Sequence, residues 1–194
     1  MKAPNTAVRT RAATPADFPS IAGIYAHHVE TGTASFEEVP PSVDEMRRRY
    51  THVRAWGLPW RVAEVEGAVV GYCYASPFNN RSGYRFTVDD SIYIDARYHN
   101  MGIGTRLLGD VLGICTDLGY RQMVACIGDS ANEASLRLHT QMGFRTIGQI
   151  VRVGAKFGRW LDIVYLQRPL GDEVAAPPAT DPTGYVPPGD QSGP

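Results

Sequence analysis

Two glycines, Gly102 and Gly104, lie between a strand-like run at residues 91–94 and the helix-like run that follows. Because glycine has no Cβ atom, the backbone can turn sharply there, and the amides of the first helical turn can face a bound anion. The turn lies mid-chain, after the fourth strand-like run, and the order of strands and helices along the chain is a mixed α/β layout on one sheet. The pattern predicts a diphosphate site at this glycine turn; a tight turn without a ligand is the alternative.

The composition is that of an ordinary globular domain. The 194 residues are 43% hydrophobic and 20% charged, enough for one domain with a full core. A formal net charge of −1 argues against electrostatic attraction to nucleic acid or to an anionic membrane. No segment approaches the roughly 18 apolar residues of a membrane span, and the first residues lack the apolar core of a signal peptide. We expect a cytoplasmic protein that binds neither nucleic acid nor membrane.

Three cysteines, Cys73, Cys115 and Cys126, are far apart in the sequence, and each has apolar neighbours. None belongs to a Cys-x-x-Cys pair, so we expect no metal site. Free cysteine is commonly buried. We therefore predict three buried thiols in a reducing compartment, with a nucleophilic cysteine as the alternative.

Hydrophobic periodicity and turn signals predict seven strands and four helices. The predicted strands are residues 8–12, 61–64, 69–75, 86–94, 122–127, 145–153 and 161–167. The first two helices begin after the caps Thr14 and Ser42, the third follows the glycine turn, and the fourth opens with a capping box at residues 130–133. The helices are predicted to end near Gly32, Val53, Gly119 and Gly143.

Beyond Pro169 the sequence becomes rich in proline and glycine and poor in apolar residues. Such a segment cannot bury enough surface to offset its ordering entropy. We predict one domain over residues 1–170 and a tail without chemistry over residues 171–194. An extended arm packed on a partner subunit is the alternative.

The glycine turn matches neither of two common phosphate-binding patterns. A dinucleotide-binding turn needs a third glycine where Leu107 stands, and it lies near the start of a βαβ unit. A P-loop needs Gly-Lys followed by Ser or Thr, which the sequence lacks.

The turn instead resembles the pyrophosphate loop of the GNAT superfamily of N-acetyltransferases, Arg/Gln-x-x-Gly-x-Gly/Ala. Gly102 and Gly104 match this pattern, and His99 stands where Arg or Gln is usual. The resemblance covers about residues 7–170.

Three further stretches narrow the resemblance to the phosphinothricin acetyltransferase subfamily, which is similar to L-amino acid N-acetyltransferases. They are residues 24–36, 132–144 and 156–165. Members of this subfamily acetylate the α-amino group of phosphinothricin, methionine sulfoximine or related amino acids, and they form dimers. The resemblance therefore implies a small-molecule amine as substrate and a homodimer.

The resemblance also implies the mixed α/β GNAT fold, in which the fourth and fifth strands splay apart and acetyl-CoA lies in the gap. The pantetheine arm would pair with the backbone of the fourth strand, and the diphosphate would lie on the amides of the glycine turn. No metal is implied. The implied cofactor-binding residues are Ile92, Tyr93, Ile94, His99, Asn100, Met101, Gly102, Ile103, Gly104, Thr105, Asn132 and Ser135.

Asp89 is the implied catalytic base, because an α-ammonium group must lose a proton before it can attack a thioester. The subfamily usually has Glu at this position, and the shorter Asp side chain favours a bridging water. Asp90 follows directly, and on a strand the two side chains point to opposite faces. A solvated acidic strand end is the alternative.

His139 is the second implied catalytic residue. With Asn132 and Ser135 it recurs at positions i, i+3 and i+7, so the three share one helix face. His139 would protonate the leaving thiolate or simply orient it; a polar stripe facing solvent is the alternative. Nothing in the sequence supports a covalent acyl-enzyme, so we expect direct transfer.

The implied acceptor site combines residues from several parts of the chain. Arg81 is expected to clamp the substrate carboxylate with its guanidinium. The resemblance also implies that residues 156–160 line or border this site, and core packing explains Phe36 and Trp160 equally well. We expect His27 and His28 to be surface or supporting residues. The acceptor-binding residues implied by the resemblance are Phe36, Arg81, Tyr84, Asp90 and Ser91.

The sequence thus predicts an acetyl-CoA-dependent N-acetyltransferase that acts on the α-amino group of a small amino acid or analogue. Two alternatives remain: a non-catalytic CoA-binding regulatory module, and an acetyltransferase for a polyamine or a protein N-terminus. The first is motivated by His99 and Asp89, which depart from the family pattern at a cofactor position and at the base.

Overall fold

The computed structural model describes residues 7–172 and, beyond them, Pro178 and Pro182. Residues 1–6 and the rest of the predicted tail lie outside the described residues. The strands are β1 (Arg9–Ala12), β2 (Trp60–Val65), β3 (Ala68–Pro77), β4 (Thr87–Ile94), β5 (Gln122–Gly128), β6 (Arg145–Lys156) and β7 (Arg159–Pro169). The α-helices are α1 (Phe18–Thr31), α2 (Val43–Ala55), α3 (Ile103–Asp117) and α4 (Glu133–Gln141).

The strands form one mixed sheet in the order β1-β2-β3-β4-β5-β7-β6. Every neighbouring pair is antiparallel except β4 and β5, which are parallel and are connected through α3. The β2–β3 hairpin turns at Glu66 and Gly67, both with positive φ, as their sequence predicts. The mixed α/β fold predicted from the sequence is confirmed.

Alternation along β4 shows which helices lie on each face of the sheet. The Tyr93 ring contacts Tyr25 of α1, with ring centroids 4.8 Å apart. Ile94 points the opposite way and lies beside Gly104 of α3, which also approaches Leu138 of α4. We call these two sides the α1 face and the α3 face; α2 packs beside α1.

Apolar side chains are buried on both faces. On the α1 face, the ring of Trp60 stacks on Tyr74 at 4.0 Å and contacts Phe18. On the α3 face, Leu107 and Val111 of α3 are fully buried, as their helical spacing predicts. Within the described residues, no helix has the length and apolar character needed to span a bilayer.

The pairing of β4 with β5 stops part-way along both strands. It runs from Thr87 opposite Gln122 to Asp90 opposite Ala125. Beyond these residues β4 continues to Ile94 and β5 to Gly128 without a ladder between them. The two strands therefore splay apart, as the family resemblance implies.

The start of α4 differs from the prediction. The N-cap is Asn132, whose Oδ1 accepts a hydrogen bond from the backbone N–H of Ser135 at 3.3 Å. Ser130 instead donates to Asp162, and Asp129, with a φ of 66°, accepts the N–H of Ala131 in a turn before the helix. The predicted capping box at residues 130–133 is therefore wrong by two positions.

The cysteines are free thiols, but only two of them are buried. Cys73 and Cys115 are enclosed in the core, whereas Cys126 is exposed. Cys126 follows Ala125, the last residue of β5 that pairs with β4, so no neighbouring strand covers that side. The prediction of three buried thiols is wrong for Cys126.

Ion pairs around Arg11 join the first strand to α1 and β2. The guanidinium donates to Asp17 at 2.7 Å and to Glu64 at 2.6 Å. Asp17 also accepts the backbone N–H of Thr14 at 2.7 Å. The hydrogen bond from Arg11 contributes most to lowering the pKa of Asp17 to about 2.

Asp17→Asn is expected to lower the melting temperature near pH 6. Because the folded-state pKa of Asp17 lies below its ordinary value of 3.8, the ionised carboxylate stabilises the fold above about pH 4, and this stabilisation is lost as the pH falls toward about 2. The difference between wild type and variant should therefore shrink between about pH 4 and pH 2. Thermal unfolding followed by circular dichroism measures it, with the exposed Asp44 (Asp44→Asn) as the matched control.

Candidate active site

A cleft of about 760 Å³ opens where β4 and β5 separate. This is the size of a small-molecule site. Side chains from both faces of the sheet line it: Asp90 and His139 from the α3 face, and Tyr93 and His28 from the α1 face. The cleft therefore connects the two faces through the gap between the strands.

The glycine turn forms the anion-binding end of the cleft. Gly102 is the N-cap of α3 with a φ of 73°, a left-handed conformation that favours glycine. A Cβ atom at Gly104 would lie 3.0 Å from a methyl group of Leu138 and 3.3 Å from one of Ile94, so a side chain there would require these neighbours to shift. The first N–H groups of α3 have no partner within the helix, and no acidic side chain lies in its first turn. These features fit a bound diphosphate.

The backbone of β4 forms the middle of the cleft. Ile92, Tyr93 and Ile94 line it, and none of them pairs with β5. On its other side β4 remains paired with β3. The free edge is therefore extended, and its N–H and C=O groups, apart from the Ile94 carbonyl that two histidines contact, fit the amides of a pantetheine arm.

Two histidines meet at the carbonyl oxygen of Ile94. His28 Nε2 lies 2.9 Å and His99 Nε2 3.3 Å from it, and both rings line the cleft. Burial, together with the neighbouring His27 and His99, lowers the pKa of His28. His28 therefore donates to the carbonyl as a neutral imidazole, so of the two roles expected from the sequence, surface or supporting, it matches the second.

Asp90 and His139 form a buried pair on the α3 face. His139 Nε2 lies 3.1 Å from Asp90 Oδ2, with side-chain exposures of 3% and 1%. His139 Nδ1 lies 2.8 Å from the backbone oxygen of Ser135. Burial opposes the charged imidazolium, but the hydrogen bond and charge of Asp90 outweigh it and raise the pKa of His139. Both ring nitrogens are therefore occupied.

Asp89 points to the opposite face, as strand alternation predicts. Its Oδ1 accepts a hydrogen bond from Ser76 of β3. Burial raises the pKa of Asp89 to about 6; the bond from Ser76 opposes this shift and the charge of Asp90 adds to it. A carboxyl with this pKa is ionised at neutral pH and is a stronger base than an ordinary aspartate.

The chain matches the Acetyltransferase (GNAT) family model over residues 21–144. It is 51% identical over 154 residues to a phosphinothricin N-acetyltransferase from Alcaligenes faecalis, covering 79% of this chain and 78% of that one. It is 37% identical to an L-methionine sulfoximine/L-methionine sulfone acetyltransferase from Salmonella typhimurium, covering 87% and 98%. The chain belongs to the GNAT family of acetyltransferases.

A solved structure within this family contains the cofactor. The phosphinothricin acetyltransferase from Sinorhizobium meliloti, determined in complex with acetyl-CoA, shares 46% identity and a TM-score of 0.84, covering 93% of this chain and 96% of that one. This chain thus shares its fold with a relative that binds acetyl-CoA. Among the described residues, no group of three or more His, Cys, Asp or Glu side chains could hold a metal ion.

Most of the predicted GNAT cofactor residues line the cleft, with Met101 and Ile103 as exceptions. Met101 is exposed, and Ile103 is buried beneath the turn. Asn132, Ser135 and His139 all line the cleft, rather than facing solvent. The assignment of each residue to the cofactor stays a prediction.

The predicted acceptor residues are more dispersed. Ser91 and Asp90 line the cleft, whereas Phe36, Arg81 and Tyr84 do not. Arg81 and Tyr84 are exposed in the segment between β3 and β4. Asp90 lies on the α3 face with His139 rather than beside Asp89, which itself lies outside the lining of the cleft. The structure thus brings together the cofactor end but not the whole acceptor set.

Sequence reasoning missed the far wall of the cleft. This wall consists of Gly32, Thr33 and Ala34 after α1, together with Cys126 and Asp129 at the end of β5. The splay of β4 from β5 was the available signal, because it leaves the last residues of both strands facing one gap. No local pattern indicates that the chain after α1 meets the end of β5.

Ser76→Ala is expected to raise the pKa of Asp89 above about 6, because a hydrogen bond donated to the carboxylate favours its charged form. A ¹³C NMR titration of aspartate-labelled protein measures the shift, with Asp89→Asn identifying the signal. Ser82→Ala, at an exposed serine before β4, is the matched control. An Asp89 titration that is the same in wild type and Ser76→Ala would contradict this account of the site.

Proposed function

We propose that this GNAT protein transfers the acetyl group of acetyl-CoA directly to the α-amino group of a small amino acid or analogue of the phosphinothricin or methionine sulfoximine type. The supporting observation is the through-sheet cleft. It connects an anion-binding helix start on the α3 face with residues of the α1 face, where a carboxyl of raised pKa lies. The named activities of the Alcaligenes and Salmonella relatives support the substrate class.

The cofactor would be held mainly by backbone groups. The amides at residues 100–105 would bind its diphosphate, and the free edge of Ile92, Tyr93 and Ile94 would pair with its pantetheine arm. His99 replaces the usual Arg or Gln with a shorter, titratable side chain. When bound, acetyl-CoA supplies an activated acetyl thioester.

Asp89 would accept the proton of the acceptor's ammonium group. Its side chain lies on the α1 face, and its carboxylate is ionised above about pH 6. Because Asp89 does not line the cleft directly, transfer through a water molecule suits its position. The hydrogen bond from Ser76 holds one carboxylate oxygen and leaves the other for this role.

His139 would orient the reacting groups rather than donate a proton. Both of its ring nitrogens are bound, one to Asp90 and the other to the backbone of Ser135. Proton donation would require one of these contacts to break. A thiol with a pKa of about 8.5 is a tolerable leaving group without such help.

The acceptor's own carboxylate would be bound by Arg81. This guanidinium is exposed and forms no ion pair within the described residues. Tyr84, three residues on, is also exposed, and Ser91 lines the cleft. Together with Phe36 and Asp90 they form the proposed acceptor set.

Acetyl-CoA consumption across a panel of acceptors tests the function. We expect turnover with phosphinothricin, methionine sulfoximine or other amino acids, and no turnover with spermidine or a peptide N-terminus. Asp89→Asn is expected to lower kcat by about 10²- to 10⁴-fold without changing the affinity for acetyl-CoA. Asp44→Asn, at an exposed helix position, is the control.

The alternatives give different outcomes in the same assay. Turnover confined to spermidine or the peptide would contradict the amino-acid substrate and support the other acetyltransferases. Acetyl-CoA binding without turnover for any acceptor, in wild type and variant alike, would support a binding module.

We also propose a homodimer formed through β6. This strand is at the edge of the sheet, and unpaired edges favour association with another chain. Its apolar side chains and those of the adjoining hairpin are exposed, among them Val151, Val153 and Trp160. A second copy would cover this patch.

The double variant Val151→Asp/Trp160→Asp is expected to sediment as a monomer, because two charges would be buried in the interface. Analytical ultracentrifugation measures the mass, which should be twice as large for wild type. Val39→Asp, at an exposed valine outside the patch, is the matched control. A wild type that sediments as a monomer would contradict the proposed dimer.

The domain boundary and the compartment are also proposals. Leu170 is 2% exposed and its N–H bonds to Arg121, which supports a domain that reaches residue 170, followed by a tail. Three free cysteines suit the reducing cytoplasm.

A further inference from the structure

The wall of the cleft opposite β4 is an irregular loop. Residues 32–42 connect α1 to α2 and contain neither helix nor strand; we call them the α1–α2 loop. Gly32, Thr33 and Ala34 of this loop line the cleft. Because the loop is not part of a helix or the sheet, contacts with other elements must determine its position.

Lys156, the last residue of β6, holds this loop from across the sheet. Its Nζ donates to the carbonyl oxygen of Gly32 at 3.0 Å and to that of Ser35 at 2.8 Å. The residue is only 3% exposed. An ammonium group is costly to bury unless hydrogen bonds satisfy it. The burial of Lys156 is therefore explained by the two loop carbonyls that it joins.

No carboxylate forms an ion pair with Lys156 within the described residues. Burial lowers the pKa of its ammonium group, while the charges of Glu37 and Glu38 oppose that shift. A neutral amine would still donate two hydrogen bonds, so both contacts survive deprotonation.

Lysine is rare in this chain. The sequence contains 17 arginines and only two lysines, Lys2 and Lys156. A compact ammonium group with rotatable donors can reach two carbonyls in a confined site, whereas arginine presents a wider planar fork.

Other contacts also fix this loop, including the hydrogen bond between Tyr25 and Ser35 and the ion pair of Arg49 with Glu37. The ring of Phe36 packs against two glycines. A Cβ atom added at Gly154 would lie 2.3 Å from this ring, and one added at Gly128 would lie 3.0 Å from it. Thr33 donates to Asp129 at 2.7 Å, and Asp129 also pairs with Arg159. The loop is thus fastened to the end of β5 and to the β6–β7 hairpin.

We propose that Lys156 is a positioning residue that holds the α1–α2 loop at the acceptor end of the cleft and thereby sets the affinity for the amino-acid acceptor. The inference rests on the proposed function and assigns a role to a residue that touches neither substrate. The proposed cofactor end, at the glycine turn, lies on the α3 face, and none of the loop contacts described above involves it.

Steady-state kinetics with each substrate varied in turn test the proposal. Lys156→Met removes all donors at similar length, and it is expected to raise the acceptor KM by about tenfold or more, given the strength of hydrogen bonds to charged groups. The KM for acetyl-CoA should change less than about twofold. Lys156→Arg keeps donors but presents the wider fork, so its acceptor KM is expected to lie between those of wild type and Lys156→Met.

Thr33→Val is a second, nearly isosteric variant that releases the contact with Asp129. Thr33→Val is expected to raise the acceptor KM while the KM for acetyl-CoA stays unchanged. Thermal unfolding shows whether Lys156→Met folds; if it does not, Thr33→Val is the variant that tests whether the loop position sets acceptor affinity. Unchanged acceptor KM in the folded variants, or equal rises in both KM values, would overturn the proposal. A wild type inactive toward every amino acid would overturn the proposed function and this inference with it; an active wild type with unaltered variants would overturn only the inference.

Discussion

The architecture of the site depends on the end of the β4–β5 ladder at Asp90 and Ala125. Backbone N–H and C=O groups are rarely left without partners when buried. Beyond the break, β4 pairs only with β3, and β5 only with β7. The inner edges of both strands are consequently open to a ligand. Since main-chain groups form these edges, recognition of a pantetheine arm there would depend on extended backbone more than on particular side chains.

Strand alternation places two adjacent carboxylates in different surroundings. Asp90 is enclosed with His139 on the α3 face, while Asp89 accepts a hydrogen bond from Ser76 on the other side. Separate environments let neighbouring carboxylates take different roles. In the proposed reaction Asp89 handles the proton and Asp90 fixes an imidazole.

Local chemistry predicted much of the fold and the cofactor end of the site. The Ser42 cap, confirmed by its bond to the Glu45 N–H, and the left-handed Gly102 follow from rules that span only a few residues. The start of α4 was missed because Asp129 forms a turn that competes with the capping box at residues 130–133. The contacts of His28 with the Ile94 carbonyl and of the α1–α2 loop with the end of β5 could not be predicted for a different reason. Their partners are distant in the chain, and only tertiary packing brings them together.

The position of β7 inside the sheet has a consequence for how the protein is made. β5 pairs along its whole length only with β7, whose 11 residues, Arg159–Pro169, come last among the strands. Among the described residues, β6 pairs only with β7, which follows it in the chain. During synthesis, β5 and β6 must therefore wait for the final strand before either is fully paired. Such distant pairings slow folding and leave apolar strand edges open to aggregation, so newly made chains are most vulnerable just before residue 169 leaves the ribosome.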